Sequence, residues 1–235
     1  KKVLIIIPAY NEEENIEKVV DNLITNFPQY DYIIVNDGST DRTKKVCQER
    51  QYKVLNLSIN MGIGGAVQTG YCYARDNDYD IAVQIDGDGQ HDVGFLENMI
   101  RYMEEEQADC VIGSRFMEKE GFQSSGLRRT GIKFLSTLGW ILTGVRIRDI
   151  TSGYRLVNRR FIQIFAQDYP VDYPEPEAMV ITAVHRGKIV EYPVIMRQRE
   201  GGTSSITLKK SVYYMFKVTL AMLIRRLSFG VRRQK

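Results

Sequence analysis

At 235 residues the chain fits one large domain better than two small ones, and 43% apolar residues is enough for a sizeable core. The net charge of +3 is mild and predicts no nucleic-acid partner, but the basic character is local: residues 208–235 carry eight lysines and arginines and no acid. Three scattered cysteines, Cys47, Cys72 and Cys110, exclude a disulfide framework and point to a reducing compartment.

The first apolar run, Val3 to Ile7, stops at Pro8, is too short for a signal peptide and reads as a strand. Further strands are predicted at Tyr32 to Asn36, Lys53 to Leu57, Ile81 to Ile85 and Cys110 to Ile112. Helices are predicted between them at Glu12 to Thr25, Asp41 to Arg50, Gly64 to Asp76 and Val93 to Glu106. Such alternation predicts a mostly parallel, doubly wound α/β sheet with ligands beyond the carboxyl ends of its strands. Past Gly113 the alternation breaks. A basic-then-apolar segment runs from Arg128 to Val145, helices are expected near Asn158 to Ala166 and Glu177 to Arg186, and a strand from Ile189 to Met196. A loop rich in Gly, Ser and Thr spans Arg197 to Ser205, and a helix follows from Leu208. No run approaches the length of a transmembrane helix.

Polar residues cluster after the strands: Pro8-Ala9-Tyr10-Asn11-Glu12, Asp37-Gly38-Ser39-Thr40-Asp41, Asn60-Met61-Gly62 and Asp86-Gly87-Asp88-Gly89-Gln90-His91. The last places two carboxylates at a strand end, with glycines that let the backbone turn sharply. That suits a hard cation that completes its shell from phosphates and water, and it equally suits a plain turn. A calcium-binding loop is excluded by His91, which stands where that loop needs glycine. Gly62-Ile63-Gly64-Gly65 lacks dinucleotide-fingerprint spacing and is expected to start a helix. Asp41 is expected to cap one. Asp37 is open between cap and ligand contact.

Taken in order, Pro8-x-Tyr10-Asn11-Glu12-x-x-Asn15, Asn36-Asp37-Gly38-Ser39-x-Asp41-x-Thr43, Asn60-x-Gly62-x-Gly64, Asp86-x-Asp88-x-Gln90-His91 and Gly113-Ser114-Arg115 resemble a family 2 glycosyltransferase of GT-A fold. Asp149-x-Thr151-Ser152-Gly153-Tyr154-Arg155 and Arg199-Glu200-Gly201-Gly202-Thr203-Ser204 are similar to its dolichol-phosphate mannosyltransferase branch and the bacterial polyprenyl-phosphate relatives. The resemblance implies that Pro8, Tyr10, Glu12 and Asp37 hold the nucleobase and ribose, with Asp86 against the nucleotide. It implies that Asp88 and Gln90 bind Mg²⁺ or Mn²⁺ and that Arg115 and Arg199 face the phosphates beside Asp88. Arg128 or Arg129, with Ser204, would meet the acceptor. His91 is read as shaping the loop. Two departures stand out: Ser205 occupies a position where many relatives have lysine, and appended transmembrane helices are missing from this sequence.

The chemistry is consistent with that reading. A departing nucleoside diphosphate needs its new charge neutralised, which a metal and arginines do without proton transfer. An acceptor phosphate monoester, with a second pKa of about 6, is already mostly dianionic and needs no strong base. A sugar hydroxyl acceptor would need one, and Glu175 or Glu177 are the candidates. In the tail, Val212, Met215, Phe216, Thr219, Leu220, Leu223 and Leu227 recur at helical spacing, as expected either of an interfacial helix or of one docked on the body. The expected organisation is a catalytic GT-A unit over residues 1–206 and a basic amphipathic membrane-proximal tail over 207–235. The expected reaction is inverting hexose transfer from a nucleotide sugar to a polyprenyl phosphate, on the cytoplasmic face of the membrane.

Overall fold

A computed structural model describes residues 1–117, 126–172, 174–196 and 208–232. The described chain forms β1 (Val3–Ala9), α1 (Ile16–Asn26), β2 (Asp31–Asn36), α2 (Thr43–Glu49), β3 (Val54–Asn56), α3 (Gly62–Asp76), β4 (Ile81–Gln84) and α4 (Leu96–Glu105). The second half adds β5 (Cys110–Ser114), α5 (Gly126–Thr143), β6 (Arg155–Asn158), α6 (Arg159–Gln167), α7 (Pro174–Val184), β7 (Ile189–Pro193) and α8 (Leu208–Arg232). The sheet order is β3-β2-β1-β4-β6-β5-β7.

All neighbouring strands are parallel except β6, which runs antiparallel between β4 and β5. The sequence reading has no strand at β6. Its four residues, Arg-Leu-Val-Asn, begin with a charged side chain and end in the Asn158 that caps α6, so they carry almost no apolar run. The consequence is functional. An antiparallel strand brings its amino end to the rim where its neighbours end, so the loop 149–154 joins the polar loops there.

Each face of the sheet has its own core. Ile5, Ile7, Ile34, Val83 and Val111 pack with Ile16 and Val20 of α1 and Leu96 and Met99 of α4. Leu4, Ile6, Ala82, Ile112 and Val157 pack with Tyr71 of α3, Phe161 and Phe165 of α6, Met179 of α7, and Val218 and Met222 of α8. Element ends shift where local chemistry prevails. Residues 12–15 form a turn closed by the Asn15 and Ile16 N–H groups on the Glu12 carbonyl, so α1 starts at Ile16. α7 begins at Pro174, whose missing N–H costs nothing in a first turn.

Helix α8 departs from simple amphipathicity. Its docked stripe is Val218 and Met222, with Met215 packed alongside, whereas the periodic set Phe216, Leu220, Leu223 and Leu227 faces outward. At 100° per residue the two stripes lie about half a turn apart. Of the residues in the expected apolar stripe, Met215 belongs to the buried side. Burying Val218 and Met222 is worth roughly 1.5–3 kcal/mol each. Two basic residues are tied down as well: Lys217 Nζ reaches Asp172 at 2.5 Å, and Arg225 Nη1 lies 2.8 Å from both Asp168 oxygens.

Candidate active site

The loops after β1 and β2 are knitted into one platform. Asn11 takes φ = 56°, and its Oδ1 accepts the Thr40 N–H at 2.8 Å, while the Asn11 N–H donates to Ser39 Oγ at 3.0 Å. The Glu12 N–H donates to Thr43 Oγ1 at 2.9 Å, and Glu12 Oε2 accepts from Asn15 Nδ2 at 2.8 Å. Expected to cap α2, Asp41 instead stands one residue before the cap position, Arg42, and its Oδ1 accepts the Thr43 N–H at 2.9 Å. Asp37 is buried, and its Oδ1 accepts the Met61 N–H at 2.7 Å, which fastens the β2 loop to the entry of α3. Gly38 has φ = 65°, and a Cβ there would lie 2.8 Å from the Asn60 nitrogen, so only glycine fits. Pro8 is buried in β1, and Tyr10 stands exposed at the rim.

Strand order puts β1 between β2 and β4, so Asp37 and Asp86 flank Pro8. The acidic loop closes onto this platform: a Cβ on Gly87 would lie 3.2 Å from the Pro8 carbonyl oxygen and 3.6 Å from Glu12 Cγ. Within the loop Asp88 Oδ1 accepts the Gln90 N–H at 3.1 Å, and Gly89 takes φ = 76°. The Asp86 N–H donates to His91 Nδ1 at 3.0 Å, which places the imidazole proton on Nε2, 3.7 Å from Asp86 Oδ2. His91 is buried and stacks on Tyr154, with centroids 5.1 Å apart. It also bridges Met196, at the edge of the segment 197–207. A loop-shaping role for His91 agrees with these contacts.

The donor set fits a hard cation. It offers carboxylate and amide oxygens from Asp88 and Gln90, and among the described residues no three His, Cys, Asp or Glu side chains gather as a closed metal cage. Magnesium- and manganese-type sites of this kind take the rest of their shell from phosphate and water.

The second half contributes a strap, residues 148–154. Glu191 of β7 accepts the Arg148 N–H at 2.9 Å and the Asp149 N–H at 2.8 Å. Asp149, fully buried, grips Arg115 bidentately, Nε to Oδ2 and Nη2 to Oδ1 both at 2.7 Å, and accepts its backbone N–H at 3.0 Å. Burial works against the Arg115 charge, yet Asp149 holds its pKa above the ordinary arginine value. Expected to face donor phosphates, Arg115 is instead turned onto Asp149, because a buried guanidinium takes the bidentate carboxylate within reach. Arg129, in the first turns of α5, is exposed beside it, its guanidinium 5.7 Å from the Phe116 ring. Arg199 and Ser204 lie outside the described residues, as does the side chain of Arg128.

Three groups at the site carry no role in the sequence reading. Arg155 is 3% exposed and donates to three carbonyls. Gln84 lies at the end of β4, paired in register with Arg155, its buried amide near Glu175 and without a well-formed hydrogen bond among the described residues. Gly153 presents its backbone to Asp86. A Cβ there would lie 3.1 Å from both carboxylate oxygens. The available signal was an arginine opening a buried strand. Glu175 lies close by: burial raises its pKa, Arg155 opposes, and the Asp86 charge adds to the rise. Glu177 is directed to α8, 3.9 Å from Arg225 Nε.

Comparison with known proteins places the chain in a family. The profile described as Glycosyl transferase family 2 matches residues 4–165. The UDP-N-acetylglucosamine–dolichyl-phosphate N-acetylglucosaminyltransferase of Methanococcus voltae is 31% identical, over 83% of this chain and 85% of its own. The polyprenol monophosphomannose synthase of Mycolicibacterium smegmatis is 30% identical, over 93% and 86%. Among solved structures, glucosyl-3-phosphoglycerate synthase from Mycobacterium tuberculosis, determined with Mn²⁺, UDP and phosphoglyceric acid, superposes with a TM-score of 0.72. It is 19% identical and covers 96% of this chain and 78% of its own, a likeness of fold.

Proposed function

Because the chain belongs to glycosyl transferase family 2, with the GT-A fold, we propose that it transfers a hexose from a UDP- or GDP-linked sugar to a polyprenyl phosphate, with inversion. The observation that carries this reading is the closure of the acidic loop 86–91 on the Pro8–Glu12 platform, at a rim that also receives Arg129. The names of the Methanococcus and Mycolicibacterium relatives, both lipid-phosphate sugar transferases, support the acceptor.

In this mechanism Pro8, Tyr10, Glu12 and Asp37 receive the nucleoside, and Asp86 lies against it. Asp88 and Gln90 would hold Mg²⁺ or Mn²⁺, which when bound neutralises the diphosphate leaving group. An acceptor phosphate oxygen attacks the anomeric carbon from the face opposite the diphosphate, forming one C–O bond as the other breaks. Arg129 orients that phosphate, with Arg128, Arg199 and Ser204 as further contacts. No proton is removed from the acceptor, since its phosphate is mostly dianionic at neutral pH. Arg115 acts indirectly, by holding the strap through Asp149.

Among the described residues no helix is long and apolar enough to cross a membrane. Peripheral attachment at the cytoplasmic face suits the outward stripe of α8, where Phe216 is 71% and Leu227 69% exposed on a segment without acids. A rival reading, extension of a saccharide, draws on Glu175, whose raised pKa and place beside Asp86 suit a base.

The test is to incubate the protein and divalent metal with polyprenyl phosphate and, in parallel, UDP-glucose, GDP-mannose and UDP-N-acetylglucosamine. A charged glycolipid from one donor is expected. Transfer to a saccharide acceptor with none to polyprenyl phosphate would establish the rival.

A further inference from the structure

Arg155 carries a buried charge, and among the described residues no carboxylate lies within ion-pair distance of it. Its guanidinium is satisfied by three carbonyls: Nε donates to Ser152 at 2.8 Å, Nη2 to Ile150 at 2.7 Å and Nη1 to Glu175 at 2.6 Å. Two of these lie in the strap and the third in the first turn of α7. A planar fork with donors on several edges can hold three divergent carbonyls at once. An ammonium group on a flexible stem matches that geometry poorly.

The position of the strap matters because of what it touches. Between the gripped carbonyls of Ile150 and Ser152 and the side chain of Arg155 sits Gly153, whose backbone packs against both oxygens of Asp86. The next residue, Tyr154, stacks on His91 and donates its hydroxyl proton to the Asp92 carbonyl at 3.1 Å. Arg155 thus fixes a seven-residue path whose two contacts, Gly153 and Tyr154, bear on opposite ends of the acidic loop. Gln84, the residue paired with Arg155 across the ladder, makes no hydrogen bond to the acidic loop among the described residues. The strap supplies that support.

We propose that Arg155 is a positioning residue: through the three carbonyls of the strap and α7 it sets the carboxylate of Asp86 and the course of the loop to His91. This rests on the reading of that loop as the donor site, and it assigns to the last residue of the Asp149–Arg155 motif a task distinct from phosphate contact.

The experiment compares the full chain with Arg155→Lys, which keeps a cation, and Gly153→Ala, which leaves Arg155 intact but crowds Asp86. Amide-exchange mass spectrometry is read over residues 84–92 and, as a reference, over α1. Expected in Arg155→Lys is exchange at 84–92 at least 10-fold faster, with α1 unchanged. At a temperature where all three proteins are folded, both variants should also lose at least 10-fold in kcat, with acceptor KM within about 2-fold. Exchange at 84–92 that matches the unsubstituted chain, or that rises equally in α1, overturns the proposal, as does an unchanged kcat in Arg155→Lys. The exchange result needs no donor, so a wrong functional reading shows itself separately, as absence of transfer by the unsubstituted protein.

Discussion

The pair Arg115–Asp149 offers a quantitative test, because both side chains are almost fully removed from water, 9% and 0% exposed, and joined by two 2.7 Å bonds. Replacing Asp149 with Ala leaves a guanidinium in the interior without its counter-charge, a change that costs about 3–5 kcal/mol in comparable buried pairs. The lost Arg115 N–H bond at 3.0 Å is included in that figure. For a domain of this size each kcal/mol lowers Tm by about 2–4 °C, so a fall of roughly 6–20 °C is expected. Removing both charges together, as Arg115→Met with Asp149→Leu, should recover most of the loss, because the desolvation of both ions disappears with their attraction. Urea unfolding of the unsubstituted chain, Arg115→Met, Asp149→Leu and their double variant closes a cycle that measures the coupling directly. The double variant should be stable and slow: the strap keeps its volume but loses the side-chain bonds of Arg115 and Asp149 to Thr151. A double variant less stable than Asp149→Ala, or an Asp149→Ala loss below about 1 kcal/mol, would refute the account of Arg115 as a buried clamp.

Three further outcomes follow from the same structure. Asp88→Ala should reduce metal-supported transfer by at least about 100-fold, on the scale of removing one electrostatic stabiliser of a leaving group, as read by the radiolabelled glycolipid assay; undiminished turnover would remove Asp88 from the metal site. Glu175→Gln should be more stable than the unsubstituted chain near neutral pH and equal to it under acid conditions. Because burial raises the Glu175 pKa above 4.5, the folded state binds the proton more tightly than the unfolded one, so its stabilising effect is complete below the unfolded value and lost as pH rises through the folded one. The limiting slope is about 1.4 kcal/mol per pH unit, and a pH-independent difference in urea titrations would contradict it. Phe216→Ser with Leu227→Ser should weaken binding to vesicles containing anionic lipid by at least about 10-fold, since each exposed side chain offers about 1.5–3 kcal/mol of burial, while melting stays within a degree or two; co-sedimentation checks this, and unchanged binding would assign the stripe elsewhere.

The nucleotide half was legible because its signals are local. Each strand from Val3 to Ile85 is an apolar run followed directly by its polar loop, and the placement of Asp37 and Asp86 on either side of β1 follows from doubly wound topology. The second half was less so, for a physical reason. Its strap is held by side chains far apart in sequence: Glu191 grips residues 148 and 149, and Asp149 grips Arg115. Neither periodicity nor spacing reports a partner 34 or 42 residues away. β6 escaped notice for the related reason that Arg155, the residue that makes it least strand-like, is satisfied only by carbonyls that the folded strap supplies.

Helix α8 shows the same limit from another side. Its outward positions 216, 220, 223 and 227 form the cleaner heptad-like stripe, and burial on the protein falls instead to Val218 and Met222. A pattern search finds the more regular stripe, not the one opposite the body's own groove. The groove is specified elsewhere: a Cβ on Gly131 of α5 would meet Met215 Sδ at 3.2 Å, and Asp168 and Asp172 anchor Arg225 and Lys217. Small size on one helix and two acids on the loop between α6 and α7 therefore decide which face docks. That leaves the regular stripe facing outward, and an apolar face on both sides of one helix calls for a second apolar surface. A lipid interface would satisfy that demand while supplying the proposed acceptor, so the proposed attachment and the proposed substrate capture would share one geometric basis.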